Sequence, residues 1–241
     1  TGLLQINGKQ PRWVPSLAAV LVVFAGYTGA LYGSILSFDS PSQSMTTVWL
    51  LGFGLAVVVF LRGGSPLVLA GVAVLAAALV GGKVSHAAVA AAGLIALALV
   101  GVLVRSPWRV RAWIVLGLGG VAMLVTFLLV LRGAALEENI TETLAVKAST
   151  WQGLDPLVGR WGPVLGTGAL ILVMAARPAG LGLLIARRGW RSDPAVVFAL
   201  GGFLAGLGAL LVLREGVNET WFALAASAPA GALSAVGLGV G

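Results

Sequence analysis

Residues 87–131 read AAVAAAGLIALALVGVLVRSPWRVRAWIVLGLGGVAMLVTFLLVL, and this stretch decides the fold. Two uninterrupted apolar runs, Ala87 to Val104 and Ala112 to Leu131, flank a short segment carrying Arg105, Arg109 and Arg111. A helix rises 1.5 Å per residue, so about 20 apolar residues cross a hydrocarbon core roughly 30 Å thick. The runs are continuous rather than alternating, which argues against barrel strands. Each run reads as a membrane-spanning helix, and the pair is joined by a cationic turn.

The same pattern repeats outward in both directions. Pro15 to Leu36 is expected as span one, Ser44 to Leu61 as span two and Pro66 to Val80 as a short span three. The quoted runs are spans four and five. Gly162 to Ala186 is span six, interrupted by Arg177 and Pro178; Pro194 to Leu213 is span seven and Trp221 to Gly241 span eight. The expected fold is therefore all-α, a polytopic membrane helix bundle of about eight transmembrane helices. Residues 1–241 form one transmembrane domain, in which 132–160 is the one long polar loop. The chain opens on Thr1 and closes inside an apolar run, so it is expected to be a fragment of a longer polypeptide.

Composition agrees. Of 241 residues, 59% are hydrophobic and 10% charged, with a mean hydropathy of +1.03. A soluble domain carries roughly 25% charged residues. The 35 glycines suit close approach of membrane helices, and Gly29/Gly33 and Gly202/Gly206 have the small-xxx-small spacing for it. The net charge of +7 comes from cations in short runs between apolar segments, not from a basic patch with interleaved aromatics, so nucleic acid is not an expected partner. The absence of cysteine excludes disulfides and thiolate metal sites.

Charge also sets the orientation. With the N-terminus inside, the inner segments carry Lys9, Arg12, Arg62, Arg105, Arg109, Arg111, Arg177, Arg187, Arg188 and Arg191. The outer ones carry Lys83, Arg132, Lys147, Arg160 and Arg214. This is the arrangement that the positive-inside rule favours, and it makes 132–160 an extracytoplasmic loop of a protein in the cytoplasmic membrane. Most acids, including Glu137, Glu138, Asp155, Glu215 and Glu219, fall outside as well.

Two outer clusters could hold a ligand. Gly81-Gly82-Lys83-Val84-Ser85-His86 joins spans three and four. Span three is so short that this turn is expected to lie below the outer surface, where glycines beside a cation suit a phosphate group. The plain alternative is a solvated turn with a snorkelling lysine. Asn218, Glu219 and Trp221 open span eight on the same face, as ligand contacts or as interfacial anchors. A lone histidine without partners makes a poor metal ligand set, so no metal site is expected. No carboxylate lies mid-span, which counts against an ion-coupled transporter or channel.

Three segments in order resemble a known family. Ser40-Pro-Ser-Gln, Gly82-Lys83-Val-Ser85-His86 and Asn218-Glu219-Thr-Trp221-Phe222 are similar to the C-terminal half of large actinobacterial multi-pass membrane proteins of the GT-C glycosyltransferase-like type. There a lysine-containing turn and a polar-aromatic motif, often Gln-Leu-Tyr-Phe, face outside; this chain has Glu219, Trp221 and Phe222 in the corresponding motif. The resemblance implies transfer of a sugar from a polyprenyl-phosphate carrier on the outer face, in cell-envelope assembly. It implies Lys83, Ser85, His86, Asn218, Glu219 and Trp221 as contacts for the lipid phosphate and substrate. The catalytic acid, and any divalent cation, would belong to a preceding part of the full protein; no cofactor is expected of these residues. A transporter or flippase for lipid-linked sugars, and a non-catalytic membrane subunit of a larger complex, remain the alternatives.

Overall fold

The computed structural model describes residues 41–130, 179–186, 190–212 and 218–240, with side chains over 45–130, 179–186, 190–209 and 225–238. Every regular element among them is helical: α1 (Pro41–Leu61), α2 (Leu67–Gly82), α3 (Val84–Leu103), α4 (Arg109–Val130), α5 (Ala179–Ala186), α6 (Pro194–Val212) and α7 (Asn218–Val240). A 3-10 turn, Trp190–Ser192, precedes α6. Spans two to five, seven and eight thus fall on helices. Span one, the 132–160 loop and most of span six lie outside the described residues. With 20 and 22 residues, α3 and α4 are long and apolar enough to cross a membrane.

Local chemistry explains where the helices stop. At the end of α1, Gly63 adopts φ +105, its N–H bonds Phe60 O (3.1 Å), and Gly64 N–H bonds Val59 O (2.9 Å). This pair of reversed bonds satisfies carbonyls that the helix end leaves orphaned, and glycine enters the left-handed region without steric cost. The end of α3 repeats the device with a difference. Arg105 N–H bonds Val102 O (3.1 Å) and Ser106 N–H bonds Gly101 O (2.9 Å), yet the left-handed residue, at φ +51, is an arginine. At the start of α6, Asp193 Oδ1 accepts the Ala195 N–H (2.9 Å), and Pro194 occupies the first helical position, where a missing N–H costs nothing.

Packing follows residue size. From Ala225 to Val236 every residue of α7 is buried, in a run mostly of alanine, glycine and serine that also holds Pro229, Leu233 and Val236. Small side chains all round let neighbours close on a helix from several sides. Accordingly, α7 packs on α6, α5, α3 and α1. Helix α6 also packs on α3 through glycines. A Cβ at Gly93 would sit 2.6 Å from the Phe198 ring, and one at Gly202 would sit 3.0 Å from Val89 Cγ1. Gly202 thereby forms the close contact its spacing suggested, and Gly206 one turn on is buried. The main core gathers Leu50, Phe53, Leu79, Leu94, Leu97 and Val115 from α1 to α4, with Phe53 tilted against Phe198 of α6 at a centroid distance of 6.1 Å.

Helix α4 has the opposite character. It buries Ala112, Val115, Gly119 and Met123 on one stripe, while Val121, Leu124, Leu128 and Leu129 stay 57–70% exposed.

The two ends of the bundle differ in chemistry. The connections after α1, after α3 and before α6 meet at one end: Arg62 pairs with Asp193 (3.0 Å), Trp108 Nε1 donates to Ser192 O (2.9 Å), and Arg111 donates to Phe60 O (3.1 Å). That end holds Arg62, Arg105, Arg109, Arg111 and Arg191 against a single described acid, Asp193. At the opposite end, where α2 passes into α3, the described cation is Lys83.

Candidate functional site

The α2–α3 junction is tighter than the sequence suggests. Gly81 and Gly82 complete α2, and Val84, Ser85 and His86 form the first turn of α3, so Lys83 alone connects the helices. Lys83 is extended (φ −156, ψ 121); its N–H bonds Leu79 O (2.9 Å), and its carbonyl accepts the N–H of His86 (3.1 Å) and Ala87 (3.3 Å). One residue thus closes one helix and opens the next. Gly82 is no flexible element either. A Cβ there would collide with Thr46 Oγ1 and meet the Trp49 ring at 3.0 Å, so the glycine is what lets α2 and α1 touch at this level.

His86 is 0% exposed, and Ser85 and Thr47 beside it are buried. The imidazole Nε2 lies 3.0 Å from Thr47 Oγ1 of α1, and Nδ1 lies 3.4 Å from Ser85 Oγ. A hydroxyl both donates and accepts, so either ring tautomer finds a partner at both nitrogens. The ring, expected in an outward recess, is instead enclosed. A polar ring can be enclosed among apolar helices only where hydrogen bonds replace its hydration. Here the Thr47 bond ties α1 to α3, while the Ser85 contact lies within α3.

Lys83 itself is half-buried above this cluster. No side chain caps the start of α3. The first N–H groups of a helix lack intrahelical acceptors and carry the positive end of its dipole. The Lys83 ammonium therefore adds to an end that already attracts anions. Among the described residues, no group of three histidine, cysteine or acidic side chains is placed to hold a metal ion.

Asn218, Glu219 and Trp221 fall in the first turn of α7, and their side chains lie outside the described residues. Helix α7 packs directly on α3, with no helix between them. The polar partners that sequence reasoning missed are Thr46 and Thr47. Their signal was two adjacent hydroxyls in an otherwise apolar run, but nothing local says that Thr47 meets a residue 39 positions away.

No family model matches the chain, and neither a curated protein nor a solved structure is significantly similar to it.

Proposed function

We propose that the chain is a polytopic bundle of about eight spans in the cytoplasmic membrane, with the arginine end inside and Lys83 outside. We propose further that it forms part of a GT-C-like, polyprenyl-phosphate-sugar-dependent glycosyltransferase of cell-envelope assembly. The observation that carries the membrane reading is the surface of α4. A row of large aliphatic side chains over half exposed, along a helix about 33 Å long, suits hydrocarbon and would be an aggregation liability in water. The sorting of arginines to one end supports the orientation.

The substrate reading rests on the resemblance of the three outer segments. It is supported by the uncapped start of α3 beside Lys83, a fitting place for a carrier phosphate. The packing of α7 on α3 brings the helix that begins with Asn218, Glu219 and Trp221 alongside. In this reading Lys83 holds the phosphate and Trp221 offers a stacking face to a sugar or isoprenoid. The second reading, a non-catalytic subunit, is favoured by the enclosure of His86, whose hydrogen bonds serve helix pairing.

Binding of a polyprenyl monophosphate to the full chain, reconstituted in nanodiscs, separates the two. Loss of a charge-assisted hydrogen bond in Lys83→Ala is expected to weaken binding by about 1–3 kcal/mol. Unchanged affinity in Lys83→Ala and Trp221→Ala would leave the subunit reading standing.

A further inference from the structure

We infer that the arginine end of the bundle is a binding site for the phosphate headgroup of an anionic phospholipid. The inference rests on the membrane reading above and is independent of any sugar transfer. Two of the five arginines there are already engaged. Arg62 faces Asp193 at 3.0 Å, and Arg111 donates to Phe60 O while lying 5.7 Å over the Phe60 ring. The remaining three, Arg105, Arg109 and Arg191, are exposed and form no ion pair among the described residues; Arg191 lies over the ring of its neighbour Trp190 at 5.5 Å. The Trp108–Ser192 hydrogen bond stitches their two segments together, since Arg109 follows Trp108 and Arg191 precedes Ser192. Three exposed arginines without an ion pair among the described residues therefore lie on adjoining segments at this end, and the planar forks of their guanidinium groups match phosphate oxygens.

Two further features fit a lipid rather than a soluble anion. Immediately along α4, Val110, Trp113 and Ile114 are exposed, so acyl chains have an apolar wall directly beside the cations, and Trp113 sits where an indole anchors at an interface. The backbone of Arg105 points the same way. The equivalent position after α1 is Gly63, which enters the left-handed region freely, whereas Arg105 holds φ +51 against the steric cost of its Cβ. A non-glycine residue held in this region is the kind of strained position where a functional side chain is expected.

The test uses the full chain in mild detergent, titrated with phosphatidylglycerol or phosphatidylcholine and followed by thermal unfolding. Phosphatidylglycerol is expected to raise the unfolding temperature more than phosphatidylcholine does, and inorganic phosphate at equal concentration is expected not to reproduce it. Each interfacial arginine contributes about fivefold to anionic-lipid affinity. The triple variant Arg105→Gln, Arg109→Gln, Arg191→Gln should therefore lose at least tenfold in phosphatidylglycerol affinity and keep its phosphatidylcholine response. Arg105→Gly separates lipid binding from folding. It should raise the unfolding temperature in lipid-free detergent and lower phosphatidylglycerol affinity several-fold. Equal responses to the two lipids, an undiminished response in the triple variant, or a match by inorganic phosphate would each overturn the inference. Release of the chain by alkaline carbonate would instead overturn the membrane reading beneath it.

Discussion

Replacing Thr47 with valine removes one hydroxyl and keeps the side-chain shape, and a cycle with His86 isolates the bond between the two. The acceptor or donor lost is 3.0 Å from Nε2 of a ring that is 0% exposed, so water cannot take its place without opening the α1–α3 contact. A buried group left unsatisfied costs about 1–3 kcal/mol in soluble proteins. Interhelical hydrogen bonds in membranes average about 0.6 kcal/mol and reach about 1.7. Full enclosure of the ring puts this bond toward the upper end, and we expect Thr47→Val to destabilise by about 1–2 kcal/mol. That is a shift of roughly 5–30-fold in the folded-to-unfolded ratio. His86→Phe removes the polar ring as well, and the double variant should recover part of the loss, because the Thr47–His86 contact then has no unsatisfied polar group; the recovery is partial because Ser85 Oγ loses its contact with Nδ1. Reversible denaturation in mixed micelles, read as a double-mutant cycle, measures both quantities. A Thr47→Val variant as stable as the parent, with no coupling to His86, would refute the reasoning and remove the tie between α1 and α3.

Other outcomes follow from single contacts. Gly93→Ala drives a methyl toward the Phe198 ring at 2.6 Å and should destabilise by about 1–3 kcal/mol, whereas Gly117→Ala meets nothing within 4 Å and should gain up to about 1 kcal/mol of helix propensity. Both are read in the same micelle assay, and a tolerant Gly93 would mean that α3 and α6 are not in contact there. Asp193→Ala removes the cap of α6 together with the ion pair and should cost about 1–2 kcal/mol, more than Arg62→Gln, because an exposed pair alone contributes about 0–1 kcal/mol. Equal costs for the two variants would show that the cap bond to Ala195 contributes nothing.

The sequence revealed the helices and the sorting of charge because both depend on local patterns. Runs such as Ala112 to Leu131 are delimited by arginines at one end, and the helix Arg109–Val130 differs from the expected span by one turn or less at each end. The gathering of Arg62, Arg105, Arg109, Arg111 and Arg191 at one end follows from helices that alternate in direction. What stayed hidden were long-range partners. Thr47 and His86 are separated by 39 residues and Arg62 and Asp193 by 131, and no spacing rule links either pair. The glycines before Lys83 misled for a physical reason. Glycine signals a flexible turn when read alone, but against Thr46 and Trp49 it is a packing residue inside a helix. The central place of α7 was readable in principle, since the stretch rich in alanine, glycine and serine from Ala225 to Ala235 has little to offer lipid and much to offer neighbouring helices.

Because the chain has no cysteine, single cysteines report topology without background. The most direct test of the membrane account places them at Gly81 and Glu138 on the outer side, and at Arg105 and Arg188 on the inner side. A membrane-impermeant maleimide applied to intact cells should label the first two, and should reach Arg105→Cys and Arg188→Cys only after permeabilisation. Labelling of Arg105→Cys but not Gly81→Cys in intact cells would reverse the orientation. Protection of all four until lysis, with the chain recovered in the soluble fraction, would contradict a membrane-spanning bundle altogether.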